Sequence, residues 1–155
     1  VPLYLFMLLF VILNFKKKAI PWILFVVITL TLTDQLSSSL VKNWIARPRP
    51  CRDPLLMNQV RLLLDHCSGG YSFTSSHATN HFGFAMFVFI TLKPVFKKWG
   101  WLFFLWAAII SYGQIYVGVH YPLDVLCGAL LGCAIGGLTA GFFTKKYGLL
   151  IFDTL

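Results

Sequence analysis

Three short stretches concentrate the residues that could do chemistry: KNWIARPRP from Lys42 to Pro50, YSFTSSHATNH from Tyr71 to His81, and GQIYVGVHYPLD from Gly113 to Asp124. Each borders a long apolar run, where ionisable side chains are costly unless something uses them. Cations, small hydroxyls near glycines and two separated histidines together suit one ligand best, a phosphate. Arginine offers two parallel hydrogen bonds to phosphate oxygens and lysine a point charge, so Lys42 and Arg49 can hold a dianion between them. Pro48 and Pro50 remove backbone donors and stiffen the turn carrying the arginines. Ser75 can cap a helix, leaving the N–H groups of Ser76 and His77 aimed at an anion near the positive helix end. Taken singly, a basic loop is a solvated membrane-proximal face and a serine before a helix is a cap.

The histidines carry more information. An imidazole can attack phosphorus if a carboxylate fixes its tautomer and orientation. Asp124 follows His120 by four residues, and Pro122 suits the first turn of a helix, so the carboxylate can reach back to the ring. His77 is then the general acid that protonates the leaving oxygen. The plainer reading makes His120 an interfacial histidine and Asp124 a first-turn residue favoured by the helix dipole. His77 and His81 also form a pair at metal-binding spacing, but the chain has no glutamate and no third ligand at suitable spacing, so no metal site is expected. His66 reads as a loop residue.

The elements that position these residues are membrane helices. The chain has 155 residues, 58% of them hydrophobic and 12% charged, with mean hydropathy +0.77, far from a soluble make-up. Its net charge of +8 does not mark a nucleic-acid partner, because the basic residues sit in short groups between apolar segments. Five apolar segments are expected to span: Val1 to Phe15, Ile20 to Leu40, His77 to Leu92, Trp99 to Tyr116 and Pro122 to Phe143. Eight lysines, at positions 16–18, 93, 97, 98, 145 and 146, fall on one side. By the positive-inside rule that side is cytoplasmic. Lys42, Arg47, Arg49, Arg52, Arg61 and every candidate catalytic residue then face outward. Gly128, Gly132 and Gly136 recur every four residues in the last segment and read as a close-packing stripe.

The three stretches together resemble the type 2 phosphatidic acid phosphatase family, whose superfamily includes vanadium haloperoxidases. Its first motif, lysine, six residues, Arg-Pro, is met by Lys42, Arg49 and Pro50. Its second, Pro-Ser-Gly-His, keeps Ser75 and His77, with Thr74 and Ser76 in the other places. Its third, Ser-Arg, five residues, His, three residues, Asp, keeps His120 and Asp124 but has Gly113 and Gln114 for Ser-Arg. The resemblance implies an all-α, integral membrane helical bundle, a single domain over 1–155 with five transmembrane helices where the family usually has six, the first preceding Val1. It implies His120 as nucleophile through a phosphohistidine, Asp124 as its orienter, and His77 as acid. Lys42, Arg49 and Ser75 would hold phosphate oxygens, with Ser76 through its N–H and Gln114 through its amide, and no cofactor or metal. Replacing the arginine by Gln114 removes a charge and a bidentate donor, and Arg47 or Arg52 could substitute.

The expected substrate is a lipid phosphate or diphosphate of the bacterial envelope: undecaprenyl diphosphate, phosphatidic acid, phosphatidylglycerol phosphate or a lipid A phosphate. Trp44, Tyr71, Phe73, Tyr116 and Tyr121 would wall the headgroup pocket, which faces the periplasm from the inner membrane. A non-catalytic lipid-phosphate binder or transporter is the alternative, and haloperoxidase chemistry does not suit so apolar a chain. Cys51 and Cys67 bracket the outer loop and are expected to form a disulfide in an oxidising compartment. Cys127 and Cys133 read as small buried hydrophobes.

Overall fold

The computed structural model describes residues 2–152 and is helical, with no strand among them. Helix α1 is Pro2–Asp34 and runs into a π-helical segment, Gln35–Val41, and the short α2, Lys42–Ile45. After a long loop come α3, Ser76–Thr91, the short α4, Lys93–Phe96, then α5, Trp101–Tyr116, and α6, Pro122–Tyr147.

The first two apolar segments meet at a tight reversal rather than a long loop. Non-helical backbone at Phe15 and Lys16 breaks α1 at the lysine run while Phe15 stays buried. Tyr4 from its first half borders the same groove as Asp34 from its second, so the two halves lie side by side. Two stretches, Pro2–Arg52 and Pro122–Tyr147, are long and apolar enough to cross a membrane. Helices α3 and α5 have 16 residues each, a length of about 24 Å against a hydrocarbon core of about 30 Å. The five apolar runs are helical where they are described, but among the described residues only two stretches meet the length and hydropathy required of a span.

Helix α3 lies at the centre, against α6, α5 and α1. The core is aromatic and aliphatic, with Trp22, Phe84, Phe87, Phe143 and Met7 fully buried. Polar pairs fix the helices to one another: Trp22 Nε1 donates to Thr91 Oγ1 at 3.0 Å, and Thr29 Oγ1 to Thr139 Oγ1 at 2.8 Å. The glycine stripe of α6 meets the α3 backbone at Ser75, Thr79 and Gly83, where a Cβ on Gly132 or Gly136 would overlap a carbonyl oxygen. That close approach sets the ends of α3 and α6 side by side.

The lysine groups gather at one end. Phe10 packs on Phe96 and Phe15 on Phe152, and Lys18 Nζ donates to Leu149 O at 3.1 Å. Large apolar side chains including Leu13, Ile20, Leu130, Leu138 and Phe142 stand exposed around the bundle, as a lipid-facing surface requires.

Candidate active site

The other end of the bundle brings together residues from all three polar stretches. Helix α3 begins at Ser75, which caps it by accepting from Ala78 N at 3.5 Å. Helix α6 begins with Pro122 in its first turn and a capping box in which Asp124 accepts from Tyr121 N at 2.9 Å. Ser75 N donates to Asp124 O at 3.1 Å, so the two positive helix ends are neighbours. Between α2 and this pair, Ala46 takes a left-handed backbone (φ 48°) and turns the chain into the arginine segment.

Arg49 is 7% exposed and its guanidinium is fully placed. Nε and Nη2 donate to Gly69 O at 3.3 and 3.1 Å, and Nη1 donates to Val119 O and to His120 Nε2, each at 3.2 Å. A guanidinium can only donate. His120 Nε2 therefore carries the lone pair, and the ring proton sits on Nδ1. That nitrogen lies 3.6 Å from Asp124 Oδ2, an ion-pair separation too long for a hydrogen bond. The His120 N–H is held by Gln114 O at 3.2 Å. The ring is thus held by Arg49 at Nε2 and faces the Asp124 carboxylate at Nδ1, while its backbone is anchored to Gln114.

Asp124 is completely buried and densely bonded. Besides Tyr121 N, it accepts from Ser72 Oγ and from Arg47 Nη1, the latter at 3.0 Å. Burial depresses the His120 imidazole below its ordinary range; the Asp124 carboxylate opposes this and Arg49 adds to it. The Lys42 ammonium makes no hydrogen bond among the described residues. Burial and then the charge of Arg49 lower its ammonium, while Asp34 and Asp124 oppose the shift. His77 is exposed and stands in the field of Lys42 and Arg49.

Several expectations change. The Ser76 hydroxyl turns away to Ser37 and Ser38, at 3.0 and 2.9 Å, so only its N–H remains for an anion. His81 Nδ1 is engaged with His77 O at 2.7 Å, which takes that ring nitrogen out of a metal pair with His77. Arg52 donates to Cys67 O at 3.1 Å, and Arg47 is tied to Asp124 with its guanidinium 3.8 Å over the Tyr121 ring. Neither stands beside His120 as Arg49 does. The Gln114 amide has no hydrogen-bond partner among the described residues and is half-buried. Of the five aromatics, Tyr121 joins the cluster through Arg47, whereas Trp44 and Tyr116 are 83% and 63% exposed and do not wall it. Cys51 and Cys67 are joined in a disulfide, their Cα atoms 6.0 Å apart. Ser72 and Arg47 as partners of Asp124 were not foreseen; only a polar residue beside each motif hinted at them.

This bundle with a cation-flanked histidine at its helix ends belongs to a known class: the chain is a member of the PAP2 superfamily, whose family model matches residues 21–147. It is similar to the lipid A 4'-phosphatase of Bacteroides thetaiotaomicron, 33% identical over 149 residues, covering 94% of this chain and 64% of that protein. The chain thus spans less than two thirds of that curated relative. Among solved structures it resembles Aquifex aeolicus LpxE, 32% identical with TM-score 0.63, over 87% of this chain and 74% of that one. It also resembles the PAP2 type phosphatidylglycerolphosphate phosphatase from Bacillus subtilis, 26% identical with TM-score 0.60, over 93% and 68%.

Proposed function

We propose that this protein is a membrane lipid phosphatase that works through a phosphohistidine on His120. The carrying observation is the Arg49 N–H donated to His120 Nε2, because it fixes the lone pair on that nitrogen beside a cation; a bound phosphoryl oxygen would take over the Arg49 N–H and release the lone pair to attack. Nε2 would bond to phosphorus as the bond to the leaving oxygen breaks, and His77 would give that oxygen its proton. Water would then attack the phosphohistidine, with His77 taking the water's proton and His120 leaving as the neutral ring. The proton on Nδ1 stays throughout, held toward Asp124, which stabilises the charge on the ring. Lys42, Arg49, the first N–H groups of α3 including that of Ser76, and the Gln114 amide would hold the phosphoryl oxygens.

The substrate class is a lipid phosphomonoester or diphosphate. Relatives named for lipid A and phosphatidylglycerol phosphate support this class, and undecaprenyl diphosphate and phosphatidic acid belong to the same test panel. Residues 1–155 would form one domain, with five runs crossing the bilayer, α3 and α5 as short or tilted spans. The lysine end would face the cytoplasm of a bacterium and the His120 end the periplasm. A second reading, a lipid-phosphate binder with an impaired pocket, draws on the unpartnered amide at Gln114. Phosphate release from the panel separates the two. Wild type should release phosphate, and His120→Ala should lose at least a thousandfold. Binding without release in wild type favours the binder, and undiminished turnover in the variant removes His120 as nucleophile.

A further inference from the structure

A groove opens beside His77. It has a volume of about 560 Å³, lies between α1 and α3, and is lined by Asp34, Gln35, Ser76, His77, Asn80 and His81 among others, within the size range of small-ligand sites. Lys42, Arg49 and His120 do not line it, whereas Ser76 and His77 do, so the groove borders the start of α3 where the phosphate would sit. The groove carries polar groups that the phosphate chemistry does not use. Asp34 Oδ1 accepts from Asn80 Nδ2 and Ser38 Oγ, both at 3.3 Å, while no donor among the described residues reaches Oδ2. Asn80 Oδ1 also lacks a partner. Gln35 is exposed, and its amide nitrogen is unengaged. His81 donates from Nδ1 to the His77 carbonyl, which leaves Nε2 able to accept. If interhelical adhesion were the whole role of these groups, an Asp–Asn pair would suffice, and the glutamine and second histidine would be superfluous beside it.

We infer that this groove is the leaving-group subsite, and that it takes a hydroxylated, saccharide-type leaving group. The inference rests on the phosphatase reading. The acid must touch the leaving oxygen, so the groove that His77 itself lines is the space open to whatever it protonates. There a carboxylate oxygen, an amide and an imidazole nitrogen offer acceptors and donors for several hydroxyls. A polyprenyl or diacylglycerol leaving group would leave them unpaired, the situation that makes polar sites reject apolar analogues. The step balances simply: the phosphorus–oxygen bond breaks and the His77 proton converts the sugar oxygen into a hydroxyl.

The test compares kcat/KM for a glycolipid carrying a phosphate on its sugar with that for phosphatidic acid, both in the same detergent. Wild type should favour the glycolipid. Asp34→Asn and Gln35→Ala should lower the glycolipid-to-phosphatidic-acid ratio by roughly ten- to a hundredfold, chiefly through KM, as loss of hydrogen bonds to a charged or buried polar group does. The ratio cancels any effect of Asp34 on Lys42, and Gln35 is exposed enough that its variant tests the idea without threatening the fold. An unchanged ratio in both variants, or a wild-type preference for phosphatidic acid, overturns the subsite while leaving the phosphatase reading intact. No release from either substrate overturns the phosphatase reading and this one with it.

Discussion

His120 is held so that one nitrogen faces a guanidinium and the other a carboxylate, and the two neighbours pull its protonation in opposite directions. Burial and Arg49 win, so the ring is held neutral at neutral pH, the form that the proposed attack on phosphorus requires. A folded-state value below the ordinary ~6.5 means that the stability gained by burying the neutral ring is present above that value and is lost as pH falls through the depressed one. The acid limb of kcat/KM should accordingly lie below pH ~6.5. Asp124→Asn removes the group that raises the His120 value, so its limb should move further toward acid, with turnover down roughly a hundredfold or more. A limb that moves toward neutral pH would contradict the assigned electrostatics. At Gln114 the missing charge matters more than the shape: Gln114→Arg should retain or raise phosphate release, because its backbone carbonyl still holds the His120 N–H. Abolished release with folding intact would give the amide a specific role of its own. The meeting of Arg49, His120 and Asp124 was legible from their types and spacing. Ser72 and Arg47 were not, since they reach Asp124 from 52 and 77 residues away and no local pattern marks a partner at that distance.

At the scale of elements, the site is an outcome of how α3 meets α6. The two helices touch backbone to backbone along Gly128, Gly132 and Gly136, and this contact sets Ser75 against Asp124 at their common end. The four-residue glycine repeat made the close packing legible, but not its partner, because a small-residue stripe says nothing about which helix it admits. Gly132→Leu should be severely destabilising, by more than the ~1–3 kcal/mol of ordinary overpacking, since its Cβ would meet the Thr79 carbonyl and the Gly83 backbone rather than a yielding side chain. Thermal unfolding in detergent should show a large drop for Gly132→Leu and little for Gly141→Leu, where no atom lies within 4 Å of the added Cβ. Equal effects at the two positions would refute the packing role. The π-helical segment after Asp34 had no signal in the sequence. It turns Ser37 and Ser38 toward Ser76, and a hydroxyl's choice between solvent, backbone and a neighbouring helix is decided only by packing.

Across the whole molecule, charge and apolar surface divide the bundle into two ends joined by a greasy waist. Composition alone made the membrane class legible, and the lysine groups, scattered over the sequence, do converge on one end. The lysine run marked where the first two apolar segments part, but not that they part at the two residues Phe15 and Lys16, because a run of lysines breaks hydropathy over a wider stretch than the backbone needs to turn. At the opposite end the loop is tied by Cys51–Cys67, and Cys67 itself and Gly69 two residues on offer carbonyls to Arg52 and Arg49, so a covalent link helps set the cation that touches His120. Everything proposed about the chemistry depends on that histidine bonding covalently to phosphorus. The most direct measurement is to mix the protein with a lipid phosphate substrate, quench in alkali during turnover, and map phosphate by mass spectrometry. The account predicts a phosphorylated peptide containing His120, absent from His120→Ala and accumulating in His77→Ala when a substrate with a good leaving group is used. Steady turnover with no phosphate on His120 under any of these conditions would contradict it.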